Sequence, residues 1–304
     1  MPSPSLPSSP LMTAHRYDIL SDFGRVYDFL VETFDEATLN SYLYPAFWEY
    51  MHTIGDFEYA RTQRMGIWES DGHIVGVATF DVGVGEAFLH ARPEHTDLYP
   101  AMLDWAEREL PEIKDGNQVL GIHITTAEPH KRDLLESRGY RCVHTEPVKI
   151  FRYDDTAFSD RTLPDGFAIQ DLTGADVEKL AAFFWRAFDN PGEPDPTFLT
   201  DSWPKIISTP HCDLTLGRLV TAPNGDYACA LGMWLDAAND YAYLEPLATS
   251  PDYRRLGLAE VALTDAMRAT AARGARWCDG GANDFYTAIG FGTHVTREKW
   301  ERTY

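Results

Sequence analysis

Cysteine is scarce in this chain: Cys142, Cys212, Cys229 and Cys278 lie far apart in 304 residues, and none forms a Cys-x-x-Cys pair. That spacing suggests neither a zinc ribbon nor a disulfide framework and fits a reducing cytoplasm. Long apolar runs are missing as well; none approaches the roughly 20 residues needed to cross a bilayer, so no membrane association is expected. Histidine offers no ligand pattern, because His90 and His95, or His123 and His130, lack the His-x-x-x-His spacing of a helical zinc site, and no metal is expected. There is no Gly-x-Ser-x-Gly elbow, and no cysteine stands in a recognisable nucleophile setting. Positive charge is the last shortage. With 26 basic against 47 acidic side chains the net charge is −21, which disfavours nucleic acid and anionic lipid as partners and favours cationic small molecules, unless the charge serves solubility alone. It also repels an anionic cofactor, so a nucleotide site must carry its own donors.

What the chain has is core-forming material: an apolar fraction of 44%, with 15 Tyr and 16 Phe. Its length suits two domains, since domains cluster near roughly 100–200 residues. Residues Met1 to Pro10 are nearly all Pro and Ser, without the basic start and apolar middle of a secretory signal, and belong to a disordered tail expected over residues 1–14.

From Gly166 the pattern runs as a short strand, Phe167 to Gln170, and a helix from about Ala175 to Phe188, stopped by Asn190-Pro191-Gly192. Strand-like runs follow at Leu214 to Thr221, Tyr227 to Leu235 and Tyr241 to Thr249, with turns at Pro223-Asn224-Gly225 and Asn239-Asp240 that predict an antiparallel meander. A helix is predicted from Leu258 to Arg273, capped by Gly274, then a strand at Arg276 to Cys278, a short helix at Asp284 to Ile289 and a last strand from Phe291. The N-terminal half repeats this order: a helix near Asp22 to Phe34, strands near Met65 to Ser70, His73 to Val82 and Ala87 to Ala91, a helix at Leu98 to Leu110, a strand at Gln118 to His123 and a short helix at Lys131 to Ser137. Two copies of one unit account for length and order together, divided as 15–156 and 157–304, with Asp154 to Asp165 as linker.

The most informative stretch reads Tyr243-Leu-Glu-Pro-Leu-Ala-Thr-Ser-Pro-Asp-Tyr-Arg-Arg-Leu-Gly-Leu-Ala259: a strand, a proline stop, and a basic, glycine-containing turn that opens a helix. Such an opening gathers unpaired N–H donors and the positive end of the helix dipole, which suits a pyrophosphate. Gly257 lets the backbone approach phosphates, and Arg254 and Arg255 add the charge that the acidic surface denies. The turn precedes Asn283-Asp-Phe-Tyr-Thr-Ala-Ile-Gly-Phe291.

This combination resembles the GNAT superfamily of acyl-coenzyme A transferases, whose phosphate loop is Arg/Gln-x-x-Gly-x-Gly/Ala and whose later signature is an Asn followed by Tyr-x-x-x-Gly-Phe; a bacterial branch with Glu-Pro-Val/Leu before the loop is the most similar. The resemblance reaches motif level from Gly166 onward and only element order before it. It implies an α/β (α+β) chain of two tandem GNAT-like domains, each a mixed, mostly antiparallel sheet flanked by helices, with acetyl-coenzyme A as co-substrate. By that resemblance the backbone of Leu247, Ala248 and Thr249 pairs with the pantetheine arm, and the N–H groups from Arg255 through Leu256, Gly257, Leu258 and Ala259 to Glu260 hold the pyrophosphate. Asn283 reaches the pantetheine or the chain beside it, although only two residues separate it from Tyr286, fewer than in many relatives. The Tyr286 hydroxyl lies near the coenzyme sulfur.

An amine of pKa near 10 must lose a proton before it attacks a thioester. Glu245, on the strand leading to the loop and sharing a face with Leu247, is the candidate base, its bland alternative being a structural carboxylate bonded to a neighbour such as Tyr241 or Tyr243. Strand N–H groups near Ala248 are candidates for the oxyanion, and Tyr286 is the candidate acid. Asp236 and Asp240 are weaker bases placed at hairpin ends, and Asp279 is a further amine contact. Phe183, Phe184, Trp185, Phe188, Trp203 and Trp234 either line an acceptor pocket or pack the core, and Phe291 is core.

Laying the N-terminal copy on the same motif puts Thr96 at Arg254 and Tyr99 at Gly257, with Glu94, Asp97 and Pro100 nearby, all hostile to phosphate. That half is expected to have lost coenzyme binding and to buttress the active half or wall its acceptor pocket. The whole reads as an N-acetyltransferase acting on a primary amine of a small molecule or peptide, with neither acceptor nor oligomeric state, monomer or homodimer, specified. The competing readings are a non-catalytic acyl-coenzyme A-binding or scaffold protein and an amino-sugar acyltransferase of thiol biosynthesis.

Overall fold

The computed structural model describes residues 12–304. The tail expected over 1–14 falls outside the described residues through residue 11, while 12–14 already belong to a strand. The elements are β1 (Met12–Arg16), α1 (Ile19–Glu32), α2 (Pro45–Met51), β2 (Gly66–Ser70), β3 (His73–Phe80), β4 (Glu86–Ala91), α3 (Tyr99–Glu109), β5 (Glu112–Lys114), β6 (Asn117–Thr125), α4 (Pro129–Ser137) and β7 (Arg141–Arg152). They continue with β8 (Ala168–Gln170), α5 (Val177–Ala187), α6 (Pro196–Ile207), β9 (Arg218–Thr221), β10 (Tyr227–Asp236), β11 (Tyr241–Thr249), α7 (Leu258–Ala271), β12 (Trp277–Gly280), α8 (Asp284–Ala288) and β13 (Gly292–Thr303).

Two compact units result. One holds the described residues through Leu43, Glu58–Thr145 and Arg297–Tyr304; the other holds Tyr44–Phe57 and Glu146–Thr296. The units therefore depart from the division at 156 and 157: residues 44–57 and 146–156 go with the second unit, and 297–304 with the first. Strand pairing explains two of these exchanges. The end of β7 pairs antiparallel with β12 from Lys149↔Gly280 to Arg152↔Trp277, and the end of β13 pairs antiparallel with β6 from Arg297↔Thr125 to Thr303↔Val119. Each half thus finds the partner for a sheet edge in a strand from the other half of the sequence.

In the first unit the strand order is β1-β2-β3-β4-β6-β13, with β5 also on β6; in the second it is β7-β12-β11-β10-β9-β8. Each sheet is antiparallel apart from a single parallel pair, β4 with β6 and β11 with β12. Helical amphipathicity supplies the cover. In α7 the buried Leu258, Ala262, Leu263, Ala266 and Met267 recur at helical spacing and meet Leu231, Met233, Leu244 and Cys278 of the sheet. Two helices escape the hydrophobic periodicity. In α6 the Asp195 side chain accepts from Thr197 N at 2.7 Å ahead of Pro196, a start signal legible in the sequence, but Pro204 inside the helix reads as a breaker. Helix α2 opens at Pro45 and packs on β10 and β11 within the second unit.

The first unit shows what a closed sheet opening looks like. Its parallel pairing ends at Phe88↔His123, and side chains occupy the edge of β4 beyond that point. Tyr99, buried at the start of α3, accepts from Ala91 N at 3.4 Å. Lys131 Nζ donates to Leu89 O at 2.8 Å and to Ser41 Oγ at 2.6 Å, pairs with Glu128 at 2.7 Å, and lies 4.6 Å from the Tyr99 ring centroid. Lys131 and Glu128 are each almost fully buried. Removing one member of such a pair strands a charge, so Lys131→Met is expected to cost about 3–5 kcal/mol in urea denaturation, and adding Glu128→Gln to recover much of it. An undiminished midpoint in the single variant would show that the pair contributes nothing.

Candidate active site

The site begins with an irregularity in the second sheet. Between β10 and β11 the register runs Leu231↔Leu247 and then Met233↔Leu244, so Gly232 alone faces both Glu245 and Pro246. This is a β-bulge, and it needs glycine: a Cβ at position 232 would strike the Glu245 carbonyl oxygen. The parallel pairing of β11 with β12 stops nearby, after Tyr241↔Trp277 and Ala242↔Cys278. At that point the carboxylate of Asp279 accepts the Leu244 N–H at 3.0 Å, doing with a side chain what the next strand residue would otherwise do with its backbone. Beyond it, 247–249 pair with β10 on one side only.

The chain then turns through Pro251–Tyr253 and enters α7. Arg255 and Gly257 adopt left-handed backbone angles, φ +66° and +81°, and the first ladder bond runs from Val261 N to Gly257 O at 3.2 Å. The N–H groups of Leu258, Ala259 and Glu260 therefore precede the intrahelical ladder. After β12, Gly280 and Gly281 make room for Tyr286: a Cβ on either would lie 2.7 or 2.6 Å from its ring. Tyr286 packs edge-on against Phe291 with ring centroids 5.2 Å apart.

A cavity of about 660 Å³ joins these parts. Leu247, Ala248 and Thr249 of β11 line it, as do Arg254, Arg255 and Gly257 of the turn. Leu258, Ala259 and Glu260 of α7 line it too, together with Asn283 and Tyr286. Leu256 is not on this wall; it points outward, 39% exposed. Glu245 is not on it either. It is half-buried on β11, and desolvation raises its carboxyl to about 7. Burial, followed by the charges of Glu245 and Asp279, pushes the Tyr286 phenol above its ordinary value. Burial likewise pushes Asp279 well up, against the pull of the Leu244 N–H.

Several side chains have other work. Arg254 is held by both oxygens of Asp189 at 2.9 Å, by Ala187 O and by Thr249 O, so its charge is already matched. Asn283 caps its own helix, accepting from Phe285 N at 3.1 Å. Asp236 accepts from the N–H groups of Ala238 and Asn239, and Asp240 takes a left-handed turn conformation, so both are turn residues. Phe183, Phe184, Trp203 and Trp234 are core, with Phe184 stacked on Trp203 at 5.0 Å; Trp185 donates to Gly192 O, and only Phe188 of this group reaches the cavity. Phe291 is buried.

Three features were not read from the sequence: Arg161, which also lines the cavity; the Gly280-Gly281 pair; and α2, which brings Tyr44, Glu49 and Tyr50 to the second unit. Tyr50 and Trp234 meet edge-on at 5.8 Å, and Trp234 and Tyr243 at 6.2 Å. The Trp234 Nε1 is buried without a hydrogen-bond partner among the described residues. The Gly-Gly pair was visible as a doublet after a strand; nothing in the N-terminal half's pattern marked 44–57 for the other unit.

Residues 177–291 match the model of the acetyltransferase (GNAT) family, so the C-terminal half carries a GNAT acetyltransferase domain. Comparison of the sequence with curated proteins gives no match. Among solved structures, a GCN5-related N-acetyltransferase from Sphaerobacter thermophilus aligns over 96% of this chain and 95% of its own, with TM-score 0.61 and 16% identity. A tandem GNAT protein from the clavulanic acid biosynthesis pathway aligns over 96% and 98%, with TM-score 0.62 and 12% identity. The N-myristoyltransferase of Saccharomyces cerevisiae aligns over 99% and 82%, with TM-score 0.56 and 12% identity. At these identities the likeness is one of fold: the chain has the tandem GNAT architecture.

The glycine contacts generate a test. Gly280→Ala should overpack the Phe291 and Tyr286 rings and lower stability by about 1–3 kcal/mol, read as a fall in thermal midpoint; an unchanged midpoint would mean that both rings are free to move aside.

Proposed function

We propose that the second unit moves an acetyl group from acetyl-coenzyme A to a primary amine of a small molecule or peptide. The observation that carries this reading is that the one-sided edge of β11, the left-handed entry to α7 and Tyr286 all open on one cavity. Leu247, Ala248 and Thr249 present backbone groups to an extended pantetheine arm, and the N–H groups from Arg255 to Glu260 face the pyrophosphate, with the helix dipole adding to their attraction. The thioester supplies the acetyl group. Every remaining task falls to side chains and backbone of this unit.

Glu245 acts as base. A carboxyl raised to about 7 divides its population between proton donor and acceptor at neutral pH, the condition under which a base both exists and accepts a proton effectively. Tyr286, its phenol raised by burial and neighbouring carboxylates, stays protonated there and donates to the departing thiolate. An N–H beside Ala248 stabilises the oxyanion. Tyr50, half-buried, stands on the acceptor side with the buried rings of Trp234 and Tyr243 packed behind it, and the charge of Glu245 is felt at the Tyr50 phenol, which burial already raises. Residues 44–57 are thus the N-terminal half's contribution to the acceptor side. In the first unit Tyr99 and Lys131 occupy the corresponding opening, which supports a single coenzyme site per chain.

Calorimetric titration of acetyl-coenzyme A into the wild type and Gly257→Tyr tests the cofactor assignment. One-site binding that the variant loses supports it, and a wild type that does not bind sinks it. With an accepted amine in hand, kcat/KM should rise with pH to a plateau above about 7, because the base works only when deprotonated. Glu245→Gln should remove that limb and cost about 10²–10⁴-fold; an unshifted profile would assign the base elsewhere. Tyr286→Phe should lower kcat by at least about tenfold while leaving coenzyme affinity near wild type; equal turnover would remove Tyr286 from the mechanism.

A further inference from the structure

The segment between the two sequence halves is not a loose tether. Phe158 stacks on Phe151 at 5.5 Å and meets Tyr153 at 5.4 Å, and Leu163 and Phe167 pack on the second unit's core. The Arg268 guanidinium lies 5.7 Å from the Phe158 ring centroid and donates to Ser159 O at 3.1 Å. Ser159 in turn donates to Glu260 Oε1 at 2.6 Å and accepts from Arg161 N at 3.2 Å. These contacts deliver one side chain to the phosphate turn: the Arg161 guanidinium bonds Glu260 Oε2 at 3.1 Å and Leu256 O at 3.4 Å, and lies over Gly257 so closely that any Cβ there would collide with its Nε.

The charges around the turn say what this arrangement is for. Arg254 is matched by Asp189, and Arg186 by Asp252 at 3.0 Å. Glu260, in the first turn of α7, would repel a phosphate placed on the N–H groups beside it. Of the basic side chains lining the cavity, Arg255 makes no ion pair or hydrogen bond among the described residues and Arg161 faces Glu260, so these two carry the positive potential of the turn. A guanidinium has five donors in a planar fork, enough to keep one bond to Glu260 while turning others to an oxyanion.

Resting on the reading of the groove as a coenzyme site, we propose that Arg161 is a ligand of the coenzyme's pyrophosphate, supplied by the segment between β7 and β8 and held ready by Ser159 and Glu260. Its guanidinium covers Gly257; on coenzyme binding, its N–H groups pass from Glu260 and Leu256 O to phosphate oxygen. No covalent bond changes. The pairing with Glu260 keeps the arginine over the turn, so less side-chain entropy is lost when the anion arrives.

The test is calorimetric titration of coenzyme A and of dephospho-coenzyme A, which lacks the 3′-phosphate, into wild type, Arg161→Ala and Arg161→Lys. Arg161 is exposed, so the variants should fold as the wild type does, checked by near-ultraviolet circular dichroism. Arg161→Ala should bind both ligands about tenfold or more weakly, with Arg161→Lys between it and wild type, the loss expected of a charge-assisted hydrogen bond. Wild-type binding that Arg161→Ala leaves unchanged overturns the proposal. Tighter binding also overturns it, by showing that the side chain obstructs the groove. A loss seen with coenzyme A but not with dephospho-coenzyme A moves the contact to the 3′-phosphate and overturns the pyrophosphate assignment. If the wild type binds neither ligand, the coenzyme reading itself falls, and Arg161 with it.

Discussion

Everything at this site depends on a parallel strand pair that stops. In an unbroken sheet the amides and carbonyls of 245–249 would be shared with β12, and no groove would exist. Two local devices end the pairing. Asp279 gives its carboxylate to the Leu244 N–H, and the Glu245-Pro246 bulge opposite Gly232 shifts the register of β11 against β10 while Pro246 has no N–H to offer. The bulge also decides where Glu245 stands, since its neighbours Leu247 and Thr249 share its partial exposure while Pro246 and Ala248 are buried. The same irregularity that opens the sheet therefore places a carboxylate at the opening, and desolvation does the rest.

The first unit performs a control on this arrangement. It has the same meander, the same single parallel pair and the same interruption, after Phe88↔His123. Backbone groups left over at such an interruption need partners, because a buried unpaired amide or carbonyl costs about 1–3 kcal/mol. There the Tyr99 hydroxyl takes the Ala91 N–H and the Lys131 ammonium takes the Leu89 carbonyl, with Glu128 balancing the charge. Among the described residues no side chain takes that role on 247–248 of the second unit, and its helix starts on a left-handed glycine instead of a tyrosine and a proline. One fold has met the same demand twice, once from within and once by leaving room.

What was legible in the sequence was what depends on neighbours along the chain. A glycine between a basic turn and an amphipathic run marked the entry to α7, and Tyr286 with Phe291 marked the wall opposite it. The meanders, the repeated order of elements and the capped helices are all short-range and were readable as periodicity and turn chemistry. What was not legible depends on partners distant in sequence. Nothing local says that 149–152 will pair with β12 or that 297–303 will pair with β6, that α2 will leave its own half, or that Arg254 will find Asp189 before it finds a phosphate. Nothing local marks Arg161 for a related reason: its segment lacks periodicity and has the look of a linker, although Phe158 and Leu163 carry the apolar contacts that fix it.

The electrostatics of the site illustrate why net charge is a poor guide to ligand charge. A chain at −21 repels a polyphosphate at long range, yet at physiological ionic strength exposed charges more than about 8 Å away are largely screened. What a phosphate meets is set by the first few ångströms: the amides ahead of the α7 ladder, Arg255, and Arg161 standing against Glu260. There, matching counts for more than number. Arg254, adjacent to the turn in sequence, is consumed by Asp189 in holding the end of α5, whereas Arg161, nearly a hundred residues away, reaches the turn with a fork that one carboxylate does not exhaust.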